Sequence, residues 1–209
     1  VPSPLANIRS IIFDLGNVIV DIDYMVMVNE FKKIAVIDFS DMVNYSRQDN
    51  IFNQFEKGSI SVPDFRRALR KYLKEDVTDA EIDAAWNSII TAYPPAKFDM
   101  LTQLRKEYKT YALSNINELH VELIEENVQK RFGAPNLRSY FDQVYYSNET
   151  GYRKPEPEIY KLVLDTERLI PSETLFIDDK AENIEVAAAL GIKTLHLTDR
   201  DALLELLGF

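Results

Sequence analysis

The stretch IIFDLGNVIVDID, residues 11–23, decides how the rest of the chain is read. Ile11, Ile12 and Phe13 form an apolar run that stops at Asp14. A continuous run, rather than an alternating one, suits a strand buried on both faces. A carboxylate is costly to bury unless something pairs with it, so its place where such a strand ends needs a reason. Gly16 follows two residues on, and Asp21 and Asp23 come after it.

Working outward, the same kind of run recurs. RSIIFDL (9–15), KTYALS (109–114), QVYYS (143–147), ETLFIDD (173–179) and IKTLHL (192–197) read as strands. Helical patterns separate the later ones: NELHVELIEENVQKRF, PEIYKLVLDTERL and AENIEVAAALG, the last stopped by Gly191. Alternating strands and helices predict a parallel sheet wrapped by helices. The connection after the first strand is different. From Asp21 to about Pro94 no convincing strand appears, and a crossover needs only a dozen or so residues. The segment therefore reads as a helical insertion. SVPDFRRALRKYL starts at Ser61 with Asp64 three residues on, and presents Phe65, Leu69, Tyr72 and Leu73 on one face. TDAEIDAAWNSII repeats the device with Thr78 and Glu81, then Ile82, Ala85, Trp86 and Ile89. Gly58 ends an earlier helix.

Composition narrows the function. The 209 residues fit one large domain or a core with a smaller one attached. With a net charge of −10, the surface repels nucleic acid and anionic membranes, so neither is an expected partner. There is no cysteine, which excludes disulfides, thiolate zinc sites and cysteine nucleophiles. No apolar run is long enough to span a membrane. VPSPLANIRS lacks the basic and apolar regions of a secretory signal, and a cytoplasmic location is the expectation.

Ligands of open parallel sheets bind beyond the carboxyl ends of the strands. There the sequence puts Asp14, then Ser114 and Asn115, then Lys154 in ETGYRKPEPEIY, then Asp178 and Asp179 with Asn183 following. Singly, each has a plain structural reading as a turn, cap or loop residue. In one order, at successive strand ends, they suit phosphoryl transfer. An ionised carboxylate attacks without a base. A hard cation such as Mg²⁺, held by Asp14 and Asp179, removes its repulsion from phosphate. Lys154 adds positive charge, and Ser114 and backbone N–H groups hold phosphate oxygens. His120 and His196 are too few for a zinc cluster and read as structural.

These motifs resemble those of haloacid dehalogenase-superfamily hydrolases, in the phosphatase branch with a helical cap. FDLGNVIVD, ALSN, GYRKPEPEIY and FIDDKAENIEVAAALG are similar to the four family motifs in order. The first motif most resembles that of α-glucose-1-phosphatase-type sugar phosphatases. The resemblance implies an α/β fold: a three-layer, Rossmann-like parallel sheet formed by 1–20 and 95–209, with an inserted α-helical cap at 21–94. It implies Asp14 as nucleophile, Ser114 and Asn115 as phosphoryl ligands and Lys154 as the neutralising cation. It implies Mg²⁺ on Asp14, Asp179, Asp178 and the Gly16 carbonyl, with Asn183 as support. Tyr24, Arg47 and Trp86 are cap-side candidates.

Gly16 departs from the pattern, since most family phosphatases carry a second aspartate there as general acid and base. Such help is worth about 10²–10⁴-fold. Asp21 or Asp23 could substitute, but both read more simply as solvated turn residues. The expected function is a Mg²⁺-dependent phosphatase that acts on a small phosphorylated metabolite, a sugar phosphate among the candidates. It would work through an aspartyl-phosphate intermediate. The alternative is a phosphate-binding protein with vestigial catalysis.

Overall fold

A computed structural model describes residues 4–37 and 51–209; Arg47 lies outside them. Five parallel strands form the main sheet: β1 (Ser10–Phe13), β4 (Lys109–Ser114), β5 (Gln143–Tyr146), β6 (Thr174–Asp178) and β7 (Lys193–His196), in the order β5-β4-β1-β6-β7. All five coincide with the runs picked out in the sequence. β1 is central, and Phe13 pairs with Ala112 on one side and Ile177 on the other. The chain turns to opposite edges on either side of β1, which opens a crevice at the strand ends there.

The continuous apolar run of β1 has its explanation in two faces. Ile11 and Phe13 join one core cluster and Ile12 joins another, all three essentially inaccessible. Alternation of side chains along a strand sends neighbours to opposite faces.

Among the described residues, four helices lie between β1 and β4 over the insertion: α1 (Tyr24–Ile34), α2 (Ile51–Glu56), α3 (Val62–Arg70) and α4 (Asp79–Asn87). They share a core of their own, with Met27, Phe31, Phe55, Phe65, Leu69, Ile82 and Trp86 buried in it. Thr78 accepts from the Glu81 N–H while Glu81 accepts from the Thr78 N–H, a complete capping box at the start of α4. At α3 the Ser61 hydroxyl accepts from the Asp64 N–H and donates to the Asp64 carboxylate, so only half of that box forms.

The sequence reading missed one feature of the insertion. β2 (Asp21–Ile22) and β3 (Ile90–Ala92) pair antiparallel. Runs of two and three residues carry no periodicity, and the pairing joins positions some seventy apart in the chain. The ribbon stands where the helical segment leaves the sheet and returns to it.

The remaining helices cover the sheet. α5 (Pro95–Leu104) and α6 (Glu118–Phe132) pack on the face of Ile11 and Phe13, through Phe98, Leu101, Ile124 and Val128. After α7 (Ser147–Thr150), α8 (Pro157–Glu167) and α9 (Ala181–Ala189) pack on the other face through Ile159, Tyr160, Val163 and Ala187. α10 (Leu203–Leu207) returns to the first face through Leu203 and Leu207. The result is three layers.

The helical unit touches the sheet unit at a small, specific junction. Leu119 of α6 enters the core of the helical unit. The end of α2 meets the loop after β5. Arg153 donates twice to Glu56 Oε2, at 3.1 and 2.8 Å, and Lys57 pairs with Glu156 at 2.7 Å. The Ser147 hydroxyl donates to the Glu56 carbonyl at 2.5 Å. Gly58 has φ +66°, and a Cβ there would lie 2.2 Å from the Asn148 carbonyl oxygen. Backbone meets backbone, so no side chain can turn aside.

Gly58→Ala should therefore destabilise the fold by more than the roughly 1–2 kcal/mol of left-handed strain alone. Gly133→Ala is the control, since Gly133 also has φ +66° but has nothing within 4 Å of a Cβ. Urea denaturation of the two variants should show the larger loss at Gly58. Equal losses would mean that the contact with Asn148 is slack.

Candidate active site

Asp14 follows β1, and its N–H still bonds the Ile177 carbonyl of β6 at 2.9 Å. It therefore stands beside Asp178, the last residue of β6. Lys154 comes from the loop before α8 and reaches between them: its ammonium lies 2.8 Å from Asp14 Oδ1 and 2.7 Å from Asp178 Oδ2. Lys154 is 1% exposed and Asp178 is fully buried. The ammonium also lies 5.4 Å from the ring centre of Phe176, two residues before Asp178 on the same strand face.

The surrounding groups are fixed in turn. Asp178 accepts from the Lys180 N–H at 2.8 Å and from the Asn183 amide at 3.0 Å on both oxygens. Its lone pairs are thus largely committed to protein donors. Asn183 is where the resemblance implied, supporting this loop. Asn115 differs from its implied role. Its side-chain amide donates to the Lys154 carbonyl and its oxygen accepts from the Lys154 N–H, each at 2.7 Å. The side chain thus clamps the lysine's backbone and is not free for phosphate. Ser114 ends β4 and is buried beside it.

Asp179 is different from Asp178. It is partly exposed, and its side chain meets the Asn17 amide at 3.1 Å. Asn17 has φ 58°, and its own oxygen accepts from the Ile22 N–H. The turn after Gly16 is thereby tied to β6. Asp14, Asp178 and Asp179 each offer a carboxylate oxygen within 4.8 Å of the others. The Gly16 carbonyl accepts no hydrogen bond among the described residues.

Charge crowding shows in the acid–base behaviour. Burial pushes the Asp14 carboxyl up to about 6, Lys154 opposes this, and Asp178 and Asp179 add to it. For Lys154, burial works against the charge, but Asp14 and Asp178 outweigh it and hold the ammonium above the usual lysine value.

Of the two candidate substitutes for the missing acid, Asp21 is partly buried and Asp23 is exposed. Asp21 pairs with the buried Lys97 at 3.2 Å. Asp23 caps α1, accepting from the Met25 N–H at 2.8 Å. Each has a structural task of its own.

A cavity of about 490 Å³ lies over these strand ends. Ser114, Asn115, Gly16, Asn17, Asp179 and Lys180 form its floor, and Tyr24, Met27, Phe52, Glu56 and Trp86 come from the helical unit. Trp86 stacks on both Phe52 and His120, with ring centres 5.3 and 5.2 Å away. His120 is also committed. Asn117 Oδ1 accepts from the Trp86 indole and the His120 N–H, so its amide donates to His120 Nδ1 and Nε2–H donates to the Trp86 carbonyl. Burial lowers the His120 pKa to about 4, and the ring is neutral. His196 Nε2 lies 3.0 Å from the Asp179 carbonyl. The sequence reading did not single out Asn17 or Glu56. Asn17 carried no signal beyond its place in the first motif, and Glu56 reaches the cavity only through the docking of α2.

A family model for haloacid dehalogenase-like hydrolases matches residues 8–191. The chain belongs to that family. It is 35% identical to the D-ribitol-5-phosphate phosphatase of Bacteroides thetaiotaomicron over 90% of this chain and 91% of that protein. A haloacid dehalogenase family enzyme of the same organism, solved with magnesium and inorganic phosphate, superposes with a TM-score of 0.81 at 38% identity, over 90% of this chain and 93% of that one. A predicted hydrolase of this family from Porphyromonas gingivalis superposes equally well, TM-score 0.81, at 31% identity over 90% of each chain. Among the described residues no helix is long and apolar enough to cross a membrane.

Because Asp14 has a raised folded-state pKa, its ionised form destabilises the metal-free fold. That group's contribution is most favourable below the unfolded value of 3.8 and is lost as pH rises through about 6. Metal-free Asp14→Asn should therefore melt at a higher temperature than the natural chain at pH 7.5, with the gap closing below about pH 4. Thermal melts in EDTA across this range check the sign. A lower melting temperature at pH 7.5 would mean that Lys154 needs Asp14 more than crowding penalises it.

Proposed function

We propose that this hydrolase is a Mg²⁺-dependent phosphatase of a small phosphorylated metabolite, a sugar or polyol phosphate, working through an aspartyl phosphate on Asp14. The observation that carries this reading is the buried Lys154 ammonium between Asp14 and Asp178, with Asp179 at the cavity floor. Relatives aligned over 90% or more of this chain include the ribitol phosphate phosphatase and, at 28% identity, a sesquiterpene phosphatase of Aspergillus oryzae. Neither name favours vestigial catalysis.

The donor set fits a hard divalent cation, which prefers oxygen ligands. Asp14, Asp179 and the Gly16 carbonyl are the residues that would hold it, with Asp178, already committed to Lys154 and Asn183, at one remove. Bound Mg²⁺ would relieve the repulsion between the Asp14 carboxylate and the phosphoryl oxygens. Asp14 attacks phosphorus, a P–O bond to Asp14 forms, and the P–O bond to the leaving group breaks. Lys154 neutralises charge at the phosphoryl group. The Ser114 hydroxyl and backbone N–H groups at the strand ends hold its oxygens. Water then attacks the aspartyl phosphate and releases inorganic phosphate. The insertion at 21–94 serves as a cap that limits access to small esters.

Asp14→Asn should abolish turnover with the fold intact, as loss of a nucleophile costs orders of magnitude. Retention of more than about a tenth of the natural rate would reject the covalent role. Asp179→Ala should raise the Mg²⁺ concentration for half-maximal p-nitrophenyl phosphate hydrolysis more than Asp178→Ala does. A larger shift at Asp178 would reverse the two assignments.

Gly16 leaves expulsion of an alkoxide poorly assisted. The value of kcat/KM should fall steeply from aryl and acyl phosphates, through anomeric sugar phosphates, to simple alkyl phosphates. Rapid mixing with p-nitrophenyl phosphate should give a phenolate burst close to one per site. A Cβ at Gly16 would lie 3.0 Å from Ile22 Cδ1, the end of a flexible side chain. Gly16→Asp is therefore tolerable if Ile22 turns, and it should reduce the burst and help alkyl phosphates most. A shallow leaving-group dependence with no burst would mean that another group does the proton transfer.

A further inference from the structure

The cavity has a floor that suits the phosphoryl group and a roof that must meet the rest of the ester. Most of that roof is apolar, with Ile22, Met27, Phe52 and Ile116 among its side chains. The polar groups near it are largely committed: both ring nitrogens of His120 and both ends of the Asn115 amide bond protein atoms. Glu56 is the exception.

Glu56 comes from the helical unit, lines the cavity, and keeps about 27% of its side chain exposed. Its Oε2 takes both bonds from Arg153. Its Oε1 has no hydrogen-bond partner among the described residues. Arg153 is not among the residues that line the cavity. Of the ion pair, Glu56 therefore lines the cavity and Arg153 does not. Lys180, the cation among the described lining residues, follows Asp179 on the sheet side. It belongs to the phosphoryl end.

We infer that Glu56 selects the leaving group: its free oxygen accepts a hydrogen bond from a hydroxyl of a phosphate ester whose leaving group is uncharged and bears hydroxyls, and its charge disfavours esters whose leaving group carries a second anion. The inference rests on the phosphatase reading of the same site. A carboxylate in a mostly apolar wall repels a second anion more than it would in water, because the surroundings screen poorly. It accepts a hydroxyl proton strongly for the same reason. Arg153 holds Glu56 in place, and Arg153 adjoins Lys154. The group that recognises the organic part and the group that meets the phosphoryl part are therefore set by adjacent residues of one loop.

The test measures kcat/KM of the full chain with Mg²⁺ for sorbitol 6-phosphate, 3-phosphoglycerate and p-nitrophenyl phosphate. Glu56→Gln keeps the shape and removes the charge. It should raise the ratio of 3-phosphoglycerate to sorbitol 6-phosphate by about tenfold or more, the scale of a lost repulsion in a poorly screened site. Glu56→Leu removes the acceptor as well. It should lower sorbitol 6-phosphate relative to p-nitrophenyl phosphate by about ten- to a hundredfold, the scale of a hydrogen bond to a charged group. If every ester falls in step in both variants, and Arg153→Gln does the same, Glu56 only holds the two units together and the inference is overturned. A natural chain that hydrolyses none of the three would overturn the phosphatase reading and this inference with it.

Discussion

The site depends on a buried ammonium that must be paired. An ammonium out of water is tolerated only with anions against it, and Lys154 finds them in Asp14 and Asp178. These stand at the ends of adjacent strands, so the pairing ties β1 to β6. Asn115, just beyond β4, grips the lysine's backbone on both sides. Three strand ends and the loop after β5 thus meet at one side chain. Asn183 and the Lys180 N–H complete Asp178, which leaves it little freedom to reorient. The arrangement carries more carboxylates than cations; burial raises the Asp14 pKa, Lys154 opposes it, and Asp178 and Asp179 add to it. A site strained in this way is ready for a divalent cation, and its negative charge falls when one binds.

The helical unit has its own core but not its own position. Its apolar contact with the sheet unit is narrow, with Leu119 the buried residue that crosses over. What orients it is a set of contacts along the junction: Glu56 with Arg153, Lys57 with Glu156, Gly58 against the Asn148 carbonyl, and Trp86 with Asn117 and His120. Ion pairs that are partly exposed contribute little to stability. They do set register, and here the register brings α2 over the strand ends and closes the cavity.

Gly16 stands in a turn that its neighbours hold in place. The turn after β1 is held by Asn17, which bridges Asp179 and the Ile22 N–H. The carboxylates that follow in the chain are used elsewhere, Asp21 against Lys97 and Asp23 as a helix cap. The first motif supplies a buried carboxylate and a bare carbonyl without a side-chain acid beside them.

Much of this was legible in the chain alone. Five apolar runs located the five sheet strands, because a strand buried on both faces cannot hide its composition. The residues at their ends marked the site, since a parallel sheet brings its carboxyl edges together. The helical insertion followed from a connection too long for a crossover and from capping residues at Ser61 and Thr78. The β2–β3 ribbon did not, because its few residues have no pattern of their own and pair across some seventy residues of chain. The division of labour between Asp178 and Asp179, the clamp made by Asn115, and the place of Glu56 on the cavity wall were likewise decided in three dimensions. Each depends on which atoms meet across long stretches of chain. A local sequence reports the propensity and polarity of a residue, whereas the partner that occupies its lone pairs is chosen by the packing of the whole.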